Sequence, residues 1–314
     1  MIIDSEMQYK KFLEKYNHHN LIVNVLGCDD RYHPATDSLC AVFIKSIDDG
    51  RDFVISVCHP DALWNVDKLR LIADLNLLGS NLWTFDKKRT LHLFPISNLK
   101  DIHVFNYIET GTILDITQYQ PTTYSFYQHS IGKYSDINCV IPLTIHSQWF
   151  EAVTDAVLNK LRQTKIDTSF ERVNTDIVES FQSVECNGLK VDNQLFQKFF
   201  GQKTAKVKDN FVYTEYNLFT STGRPSNRHG NINYAALKKD DGCRSAFVSR
   251  YDQNGYLFMI DYSAYHPRLI ANLVRYNLPI DVYNYLGKFY FNKQILSDEE
   301  IKTAKITTFQ LLYG

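Results

Sequence analysis

Short apolar runs separated by polar turns dominate the first half of the chain. Four of these runs have the length of buried strands and occupy residues 20–25, 39–46, 53–57 and 81–85. Residues 61–78 instead place their apolar side chains at helical spacing after an aspartate. Strands followed by helices predict an α/β layer domain up to about residue 165.

The second half carries fewer apolar runs, and its elements are predicted from spacing and caps. The pattern predicts a helix over 171–186 and a strand over 211–219. Asp192 is placed to cap a further helix. A last apolar run at 258–260 predicts a buried strand that ends at Asp261.

A polar stretch at 166–178 predicts the boundary between a domain at 1–165 and a second domain at 166–314. The charge balance changes sign near this point. Residues 1–187 carry 17 Lys/Arg against 24 Asp/Glu, whereas residues 188–314 carry 17 against 11. These balances of −7 and +6 add to the net charge of −1. The second part can therefore attract a phosphate backbone, although the chain as a whole is nearly neutral.

The composition favours a folded protein outside the membrane. Of the 314 residues, 44% are hydrophobic, which supplies a sizeable core and argues against disorder. No run reaches the roughly 18 apolar residues of a membrane span. The first residues lack the basic head and apolar run of a signal peptide. We therefore expect no membrane partner and a cytoplasmic location.

Six cysteines are scattered along the chain, at positions 28, 40, 58, 139, 186 and 243. No two of them form a C-x-x-C pair, which disfavours a zinc or thioredoxin-like site. Free Cys behaves as a small hydrophobe in a reducing compartment. The spacing therefore predicts buried free thiols.

An aspartate at the end of a buried strand suits Mg²⁺, which tolerates little geometric error and prefers carboxylate and phosphate oxygens. Asp261 occupies such a position. Lys305, Phe309 and Tyr313 follow at intervals of four and would share one helix face, suited to gripping a triphosphate and stacking on a base. Each pattern alone also fits a simpler reading, a capping aspartate and an ordinary amphipathic helix.

The order of these motifs resembles family A DNA polymerases over about residues 175–314. The text T-G-R at 222–224 precedes Asp261, and K-x-x-x-F-x-x-x-Y-G at 305–314 follows it. Further back, V-E-C-N-G-L-K-V-D at 184–192 looks like the start of the family's palm. The resemblance implies an α/β (α+β) fold in which 166–314 forms a partial polymerase palm with the beginning of the fingers.

The resemblance also implies the chemistry, DNA-directed DNA synthesis by attack of a primer 3′-OH on the α-phosphate of a dNTP. Asp261 matches the first catalytic Asp, and the carbonyl of Tyr262 matches the second metal contact, so Mg²⁺ is the implied cofactor. The primer-template DNA would be contacted by Arg224, Asn233, Arg244 and Arg268.

The residues implied to bind the incoming dNTP are Lys305, Phe309, Tyr313, Lys302 and His266. His266 stands where most members carry the Glu that blocks the ribose 2′-OH, which leaves sugar selection open, although similar A-Y-H-P-R text occurs in phage relatives. Ile301 replaces an Arg of the fingers helix, and Lys302 supplies charge without bidentate geometry. About 30 residues separate Gly188 from T-G-R, too few for the family's long helical thumb. We therefore expect a weaker grip on DNA, or help from a partner.

The family's second catalytic carboxylate, in a later H-D-E motif, does not occur before Gly314. Two-metal phosphoryl transfer needs both carboxylates to hold ions about 3.5–4 Å apart. We therefore expect the isolated chain not to polymerise. Either a second polypeptide carries the rest of the fingers and that motif, or the chain is a truncated fragment.

The front domain resembles the ribonuclease H-like 3′–5′ exonuclease domain that precedes the palm in many family members. That chemistry needs an Asp-x-Glu on the first strand, but Asn24 and Leu26 stand there. Asp86 matches the middle acid, and either Val153 or Asp155 matches the late one. We therefore predict a degenerate exonuclease domain that acts as a scaffold.

Two other classes of function stay open. One is a non-catalytic DNA-binding or assembly subunit of a replication complex. The other is single-subunit RNA synthesis, since related RNA polymerases share the palm, although the A-Y-H-P-R and T-G-R-P-S-N texts disfavour it.

Overall fold

A computed structural model of the chain describes residues 1–29, 33–131, 137–161, 168–201, 207–220, 223–227, 232–238 and 241–313. These residues form two compact units, Met1–Gly255 and Tyr256–Gly314. The described strands are β1 (Asn20–Gly27), β2 (Leu39–Ser46), β3 (Asp52–Ser56), β4 (Asn81–Thr84), β5 (Leu99–Asp101), β6 (Leu189–Lys190), β7 (Phe211–Val212), β8 (Tyr216–Asn217) and β9 (Ser226–Asn227).

The described helices of the first unit are α1 (Glu6–Lys15), α2 (Lys68–Leu77), α3 (Lys87–Leu93), α4 (Ile102–Thr110), α5 (Thr122–Ile131), α6 (Ile137–Val140), α7 (Leu143–Leu161), α8 (Thr168–Asn187) and α9 (Asn193–Phe200). Those of the second unit are α10 (Tyr265–Leu273), α11 (Val282–Phe291) and α12 (Asp298–Tyr313). None of the helices in the described ranges is long and apolar enough to cross a membrane.

The first unit is built around a five-stranded mixed sheet in the order β3-β2-β1-β4-β5. β1 pairs with β2, and β2 with β3, in antiparallel fashion, whereas β1, β4 and β5 run parallel. This order and these directions are those of a ribonuclease H-like sheet, so the predicted fold class is confirmed. The four predicted strands are confirmed to within two residues at each end.

The sheet is buried on both faces because helices cover each side. Val42 and Ile44 of β2 belong to a core with Phe12 of α1 and Leu71 of α2. Phe43 points to the opposite face, where its ring lies 5.4 Å from that of Phe150 on α7. This alternation follows from the two-residue period of a strand.

The helix predicted for 61–78 begins only at Lys68. The side chain of Asp67 accepts a hydrogen bond from the backbone N–H of Arg70 at 2.9 Å and so caps the first turn. Asp192 caps α9 in the same way, through the N–H groups of Gln194 and Leu195, as predicted.

A buried polar network joins α8 to α3 within the first unit. Glu185, 1% exposed, accepts hydrogen bonds from Lys88 at 2.6 Å and from the N–H of Tyr216 at 2.6 Å. Its other oxygen lies 2.7 Å from Nε2 of His92. Burial alone would raise the pKa of Glu185, but the hydrogen bond to His92 and the charge of Lys88 outweigh it and hold that pKa below its ordinary value. The helix that follows the predicted domain boundary at 165, α8, therefore packs on the front domain. The boundary itself stays a prediction.

The predicted strand at 211–219 is wrong as a single element. Residues 211–212 pair with β6, whereas residues 216–217 pair with β9 in a different two-stranded sheet. The pairing partners differ, so the chain passes from one sheet to another between the two short strands. In the described part of 189–223, the only helix is α9, with eight residues.

The second unit consists of helices in its described residues, and α11 packs on α12. A Cβ on Gly287 would lie 3.0 Å from that of Ala304, so glycine permits the close approach of the two helices. Ser297 and Glu300 cap the start of α12 reciprocally, with Ser297 N–H donating at 2.9 Å and Glu300 N–H donating at 3.3 Å.

Candidate active site

One face of α12 brings the predicted nucleotide-binding side chains together. The rings of Phe309 and Tyr313 lie 6.0 Å apart with an interplanar angle of 11°. Lys305 stands one turn earlier on the same face, and its side chain is exposed. The four-residue spacing therefore produces a stacked aromatic pair with a cation beside it.

Tyr283 of α11 completes this face, and it was missed by the sequence analysis. Nζ of Lys305 lies 5.6 Å from the centroid of the Tyr283 ring, within the range of a cation–π contact. The Phe309 ring lies 6.3 Å from the same ring. Partial burial raises the pKa of Tyr283, with a smaller contribution from Tyr313. The aromatic-rich text of α11 was visible, but its pairing with α12 is not a local property of the sequence.

His266 joins the same aromatic set from α10. Its ring meets that of Tyr313 edge-on, with centroids 5.7 Å apart and an interplanar angle of 90°. The residue at the predicted sugar-selecting position thus touches the outer end of the stack.

Asp261 and Tyr262 lie on an exposed segment that is neither helix nor strand, rather than at the end of a buried strand. Phe258 is 85% exposed and Ile260 is 93% exposed, and no strand is assigned between 256 and 262. The prediction of a buried strand at 258–260 is therefore wrong. A strand needs a neighbouring strand to pair with, and none of the described strands pairs with this segment.

The turn that follows Asp261 is held by Arg268. Its guanidinium donates to the carbonyls of Ser263 at 3.0 Å, Pro279 at 3.0 Å and Ile280 at 2.7 Å. Ala264 begins α10 in the left-handed conformation at φ 52°, which is unfavourable for a residue with a Cβ. Arg268 thus stabilises this turn through hydrogen bonds. Its contact with DNA stays a prediction.

The remaining predicted DNA contacts, Arg224, Asn233 and Arg244, belong to the first unit. Arg224 and Asn233 are exposed, and Asn233 precedes a short 3-10 turn at Tyr234–Ala236. Arg244 donates to the carbonyl of Leu237 at 2.7 Å, just beyond that turn. Lys302 is exposed on α12 of the second unit. The DNA and dNTP roles of these residues stay predictions.

The exonuclease positions do not form a carboxylate cluster within the described residues. Asp86 caps α3 by accepting from the N–H of Arg89 at 3.0 Å. Asp155 pairs with Lys45 at 2.7 Å, and Val153 is buried in the core. The only group of three or more possible metal-ligating side chains found there is made of cysteines.

The cysteines are free, as predicted, but the prediction that they are buried is confirmed only for Cys40 and Cys243. Cys58 and Cys186 are exposed, and the sulfurs of Cys28, Cys40 and Cys58 lie within 4.8 Å of one another. The thiol of Cys40 is the main cause that lowers the pKa of Cys28 to about 7. Burial opposes this effect, and Cys58 and Cys139 add to it.

One solved structure resembles this chain over its whole length. The POL domain of Pol1 from M. smegmatis, in a complex with DNA primer-template and dNTP, matches with a TM-score of 0.61 and 14% identity, over 100% of this chain and 71% of that one. This chain has a polymerase-like fold. At 14% identity the likeness shows the fold alone.

Two further likenesses are more distant. Trypanosoma brucei RNase D matches with a TM-score of 0.38 and 12% identity, over 57% of this chain and 71% of that one. The catalytic core of RRP6 from the same organism matches with a TM-score of 0.33 and 10% identity, over 66% of this chain and 58% of that one. Neither a family model nor a curated protein sequence matches the chain.

Proposed function

We propose that this chain takes part in template-directed DNA synthesis as the part of a family A-type polymerase that binds the incoming dNTP. Lys305 would neutralise the triphosphate, and Phe309 and Tyr313 would form the wall on which the base stacks. Primer-template DNA would bind through Arg224, Asn233 and Arg244. We also propose that the polymerase is of the phage type within that family.

The aromatic and cationic face of α12 carries this proposal. Phosphoryl transfer asks the protein for positioning and charge stabilisation rather than covalent chemistry. A cation one helical turn from two parallel rings supplies both, because it can meet phosphates while the rings meet a base. An ordinary amphipathic helix would direct these rings into a core, but Tyr313 is 62% exposed.

The oxygen ligands near Asp261 fit Mg²⁺ in type but not in number. The Asp261 carboxylate and the Tyr262 carbonyl are hard oxygen donors, which Mg²⁺ prefers. Within the described residues, no group of three or more possible ligands includes Asp261. When bound, Mg²⁺ would stabilise charge that develops on the transferred phosphoryl group. We propose that the second carboxylate comes from outside residues 1–314, in this gene product or in another polypeptide.

Binding of a fluorescent dATP analogue with Mg²⁺, measured by titration of the 314-residue chain, tests the proposal. Lys305→Ala should weaken binding by roughly 10- to 100-fold, because hydrogen bonds to charged groups contribute about 1.5–3 kcal/mol. Phe309→Ala should weaken it through lost stacking. Lys288→Ala is the matched control, since it removes an equal charge from α11 outside the proposed site.

The same preparation separates the alternatives. No dNTP binding together with firm primer-template binding would contradict the proposal and support a non-catalytic DNA-binding subunit. Primer extension by the isolated chain with Mg²⁺ and all four dNTPs would contradict the need for an outside carboxylate. Equal affinities for ATP and dATP would show that His266 does not exclude ribonucleotides.

A further inference from the structure

Four cysteines that are far apart in sequence meet at one corner of the first unit. Cys28 directly follows β1, Cys40 lies in β2, Cys58 follows β3 and Cys139 lies on α6. Cys40 and Cys139 are 99 residues apart in sequence. Because no two of the four form a short-spaced pair, only the fold reveals the group.

Two of the sulfur–sulfur distances match those around a single metal ion. Sγ of Cys28 lies 3.8 Å from Sγ of Cys58, and Sγ of Cys40 lies 3.7 Å from Sγ of Cys139. Zinc–sulfur bonds of about 2.3 Å at tetrahedral angles would set the sulfurs about 3.8 Å apart. A disulfide would instead bring two sulfurs to about 2.05 Å.

Backbone hydrogen bonds fix the segments that carry these thiols. The carbonyl of Cys40 accepts from the N–H groups of Val57 and Cys58 at 2.9 and 3.1 Å. The carbonyl of Cys28 accepts from the N–H of Asn138 at 3.1 Å, and the side chain of Asn138 donates to the Gly27 carbonyl at 2.9 Å. Each cysteine therefore sits on, or next to, a segment fixed by hydrogen bonds.

The ligand type and the spacing select the class of metal. Thiolate sulfurs in a tetrahedral arrangement suit Zn²⁺, whereas Mg²⁺ and Ca²⁺ need oxygen ligands. An iron–sulfur cluster has inorganic sulfide between its irons, and its cysteine sulfurs must therefore stand further apart than those seen here. Three sulfurs lie within 4.8 Å of one another, and Cys139 approaches from α6 to a distance of 3.7 Å from Cys40.

We propose that Cys28, Cys40, Cys58 and Cys139 bind one structural Zn²⁺, which ties the β1–β2–β3 side of the sheet to α6. Four protein ligands close the coordination shell, so the site would stabilise the fold rather than activate water. The proposal is independent of the proposed polymerase function, because these residues lie outside the dNTP and DNA positions.

The test measures metal content of the whole chain, purified under reducing conditions, supplied with zinc sulfate and then dialysed. About one zinc ion per chain is expected. Cys28→Ser and Cys58→Ser should each lower the retained zinc by at least about tenfold, because a structural site needs all its thiolates. Cys58 is exposed, so its variant should fold even if a substitution at buried Cys40 does not. Cys186→Ser is the matched control and should retain zinc.

A spectroscopic arm identifies the ligands. Cobalt substituted for zinc should give thiolate-to-cobalt charge-transfer absorption that Cys28→Ser and Cys58→Ser abolish and Cys186→Ser preserves. A reduced wild-type chain that retains no zinc would overturn the proposal. So would serine variants at 28 and 58 that retain as much zinc as the control.

Discussion

Glu185 in the first unit and Asp261 in the second are both carboxylates within motifs of the polymerase resemblance, yet their surroundings are opposite. Glu185 is 1% exposed and has hydrogen bonds to Lys88, His92 and the N–H of Tyr216. Asp261 is exposed on a segment that is neither helix nor strand. The buried carboxylate is fully occupied by structural partners, whereas the exposed one keeps its oxygens available for a ligand.

The same contrast extends to the two units as a whole. In the first unit, polar groups are fixed by a packed mixed sheet and its helices. In the second, the aromatic face of α12 is organised by ring contacts, and the turn after Asp261 by the guanidinium of Arg268. Substitutions of buried polar groups in the first unit should therefore lower the free energy of unfolding strongly. Substitutions in the second unit should have effects confined to nearby residues.

The largest effect is expected for Glu185→Ala. The change removes the carboxylate that pairs with the buried Lys88 and His92, and breaking a buried ion pair costs about 3–5 kcal/mol. Urea unfolding followed by tryptophan fluorescence measures it, because all three tryptophans, Trp64, Trp83 and Trp149, belong to the first unit.

The pH dependence gives this prediction a second readout. The pKa of Glu185 is held below its ordinary value of 4.5, so its contribution is full above about pH 4.5 and is lost as the pH falls through the folded-state value. The difference between wild type and Glu185→Ala should shrink accordingly. Glu6→Ala, which breaks an exposed pair with Arg70, should leave the unfolding midpoint near that of wild type. Equal effects of the two substitutions would contradict the contrast between buried and exposed pairs.

Features set by residues close together in the sequence could be predicted, whereas features that need a distant partner could not. The strands at β1 to β4 and the cap at Asp192 follow from apolar periods and from one side chain bonding two nearby N–H groups. The strand expected at 258–260 failed because pairing requires a partner from elsewhere in the fold. The strand expected at 211–219 failed for a related reason, since its two ends pair with different neighbours.

The candidate site likewise contains residues that could be predicted from local spacing and one that could not. The shared face of Lys305, Phe309 and Tyr313 could be predicted, since a four-residue spacing on a helix suffices. Tyr283 could not, because its place depends on how α11 packs against α12. The cysteine group was missed for the same physical reason, with its members brought together by three strands and a short helix.

A smaller effect, confined to the second unit, is expected for Arg268→Lys. Lysine cannot span the carbonyls of Ser263, Pro279 and Ile280 from one planar group. The loss of about 1–2 kcal/mol of hydrogen bonding should loosen the turn before α11. Amide exchange should then rise by roughly tenfold at Asn284 and Tyr285, whose N–H groups donate to Asp281. Hydrogen–deuterium exchange with peptide resolution measures this change.

Arg275→Lys is the control, since Arg275 is the other arginine of the second unit and is exposed. It should leave exchange at Asn284 and Tyr285 unchanged. Unaltered exchange in Arg268→Lys, combined with weakened primer-template binding, would instead favour the predicted role of Arg268 as a DNA contact.

The smallest effect is expected for Gly287→Ala, where two opposing effects partly cancel. The new Cβ would lie 2.6 Å from Cδ1 of Leu296 and 3.0 Å from Cβ of Ala304, and overpacking of this kind costs about 1–3 kcal/mol. The better helix propensity of alanine returns up to about 1 kcal/mol. We therefore expect a net destabilisation of about 1 kcal/mol in the α11–α12 pair, measured as faster amide exchange in both helices. Adding Leu296→Ala should remove part of the penalty, because the end of the Leu296 side chain makes the closest contact. Slower exchange in Gly287→Ala would contradict the close packing of the helix pair that positions Tyr283 beside Lys305.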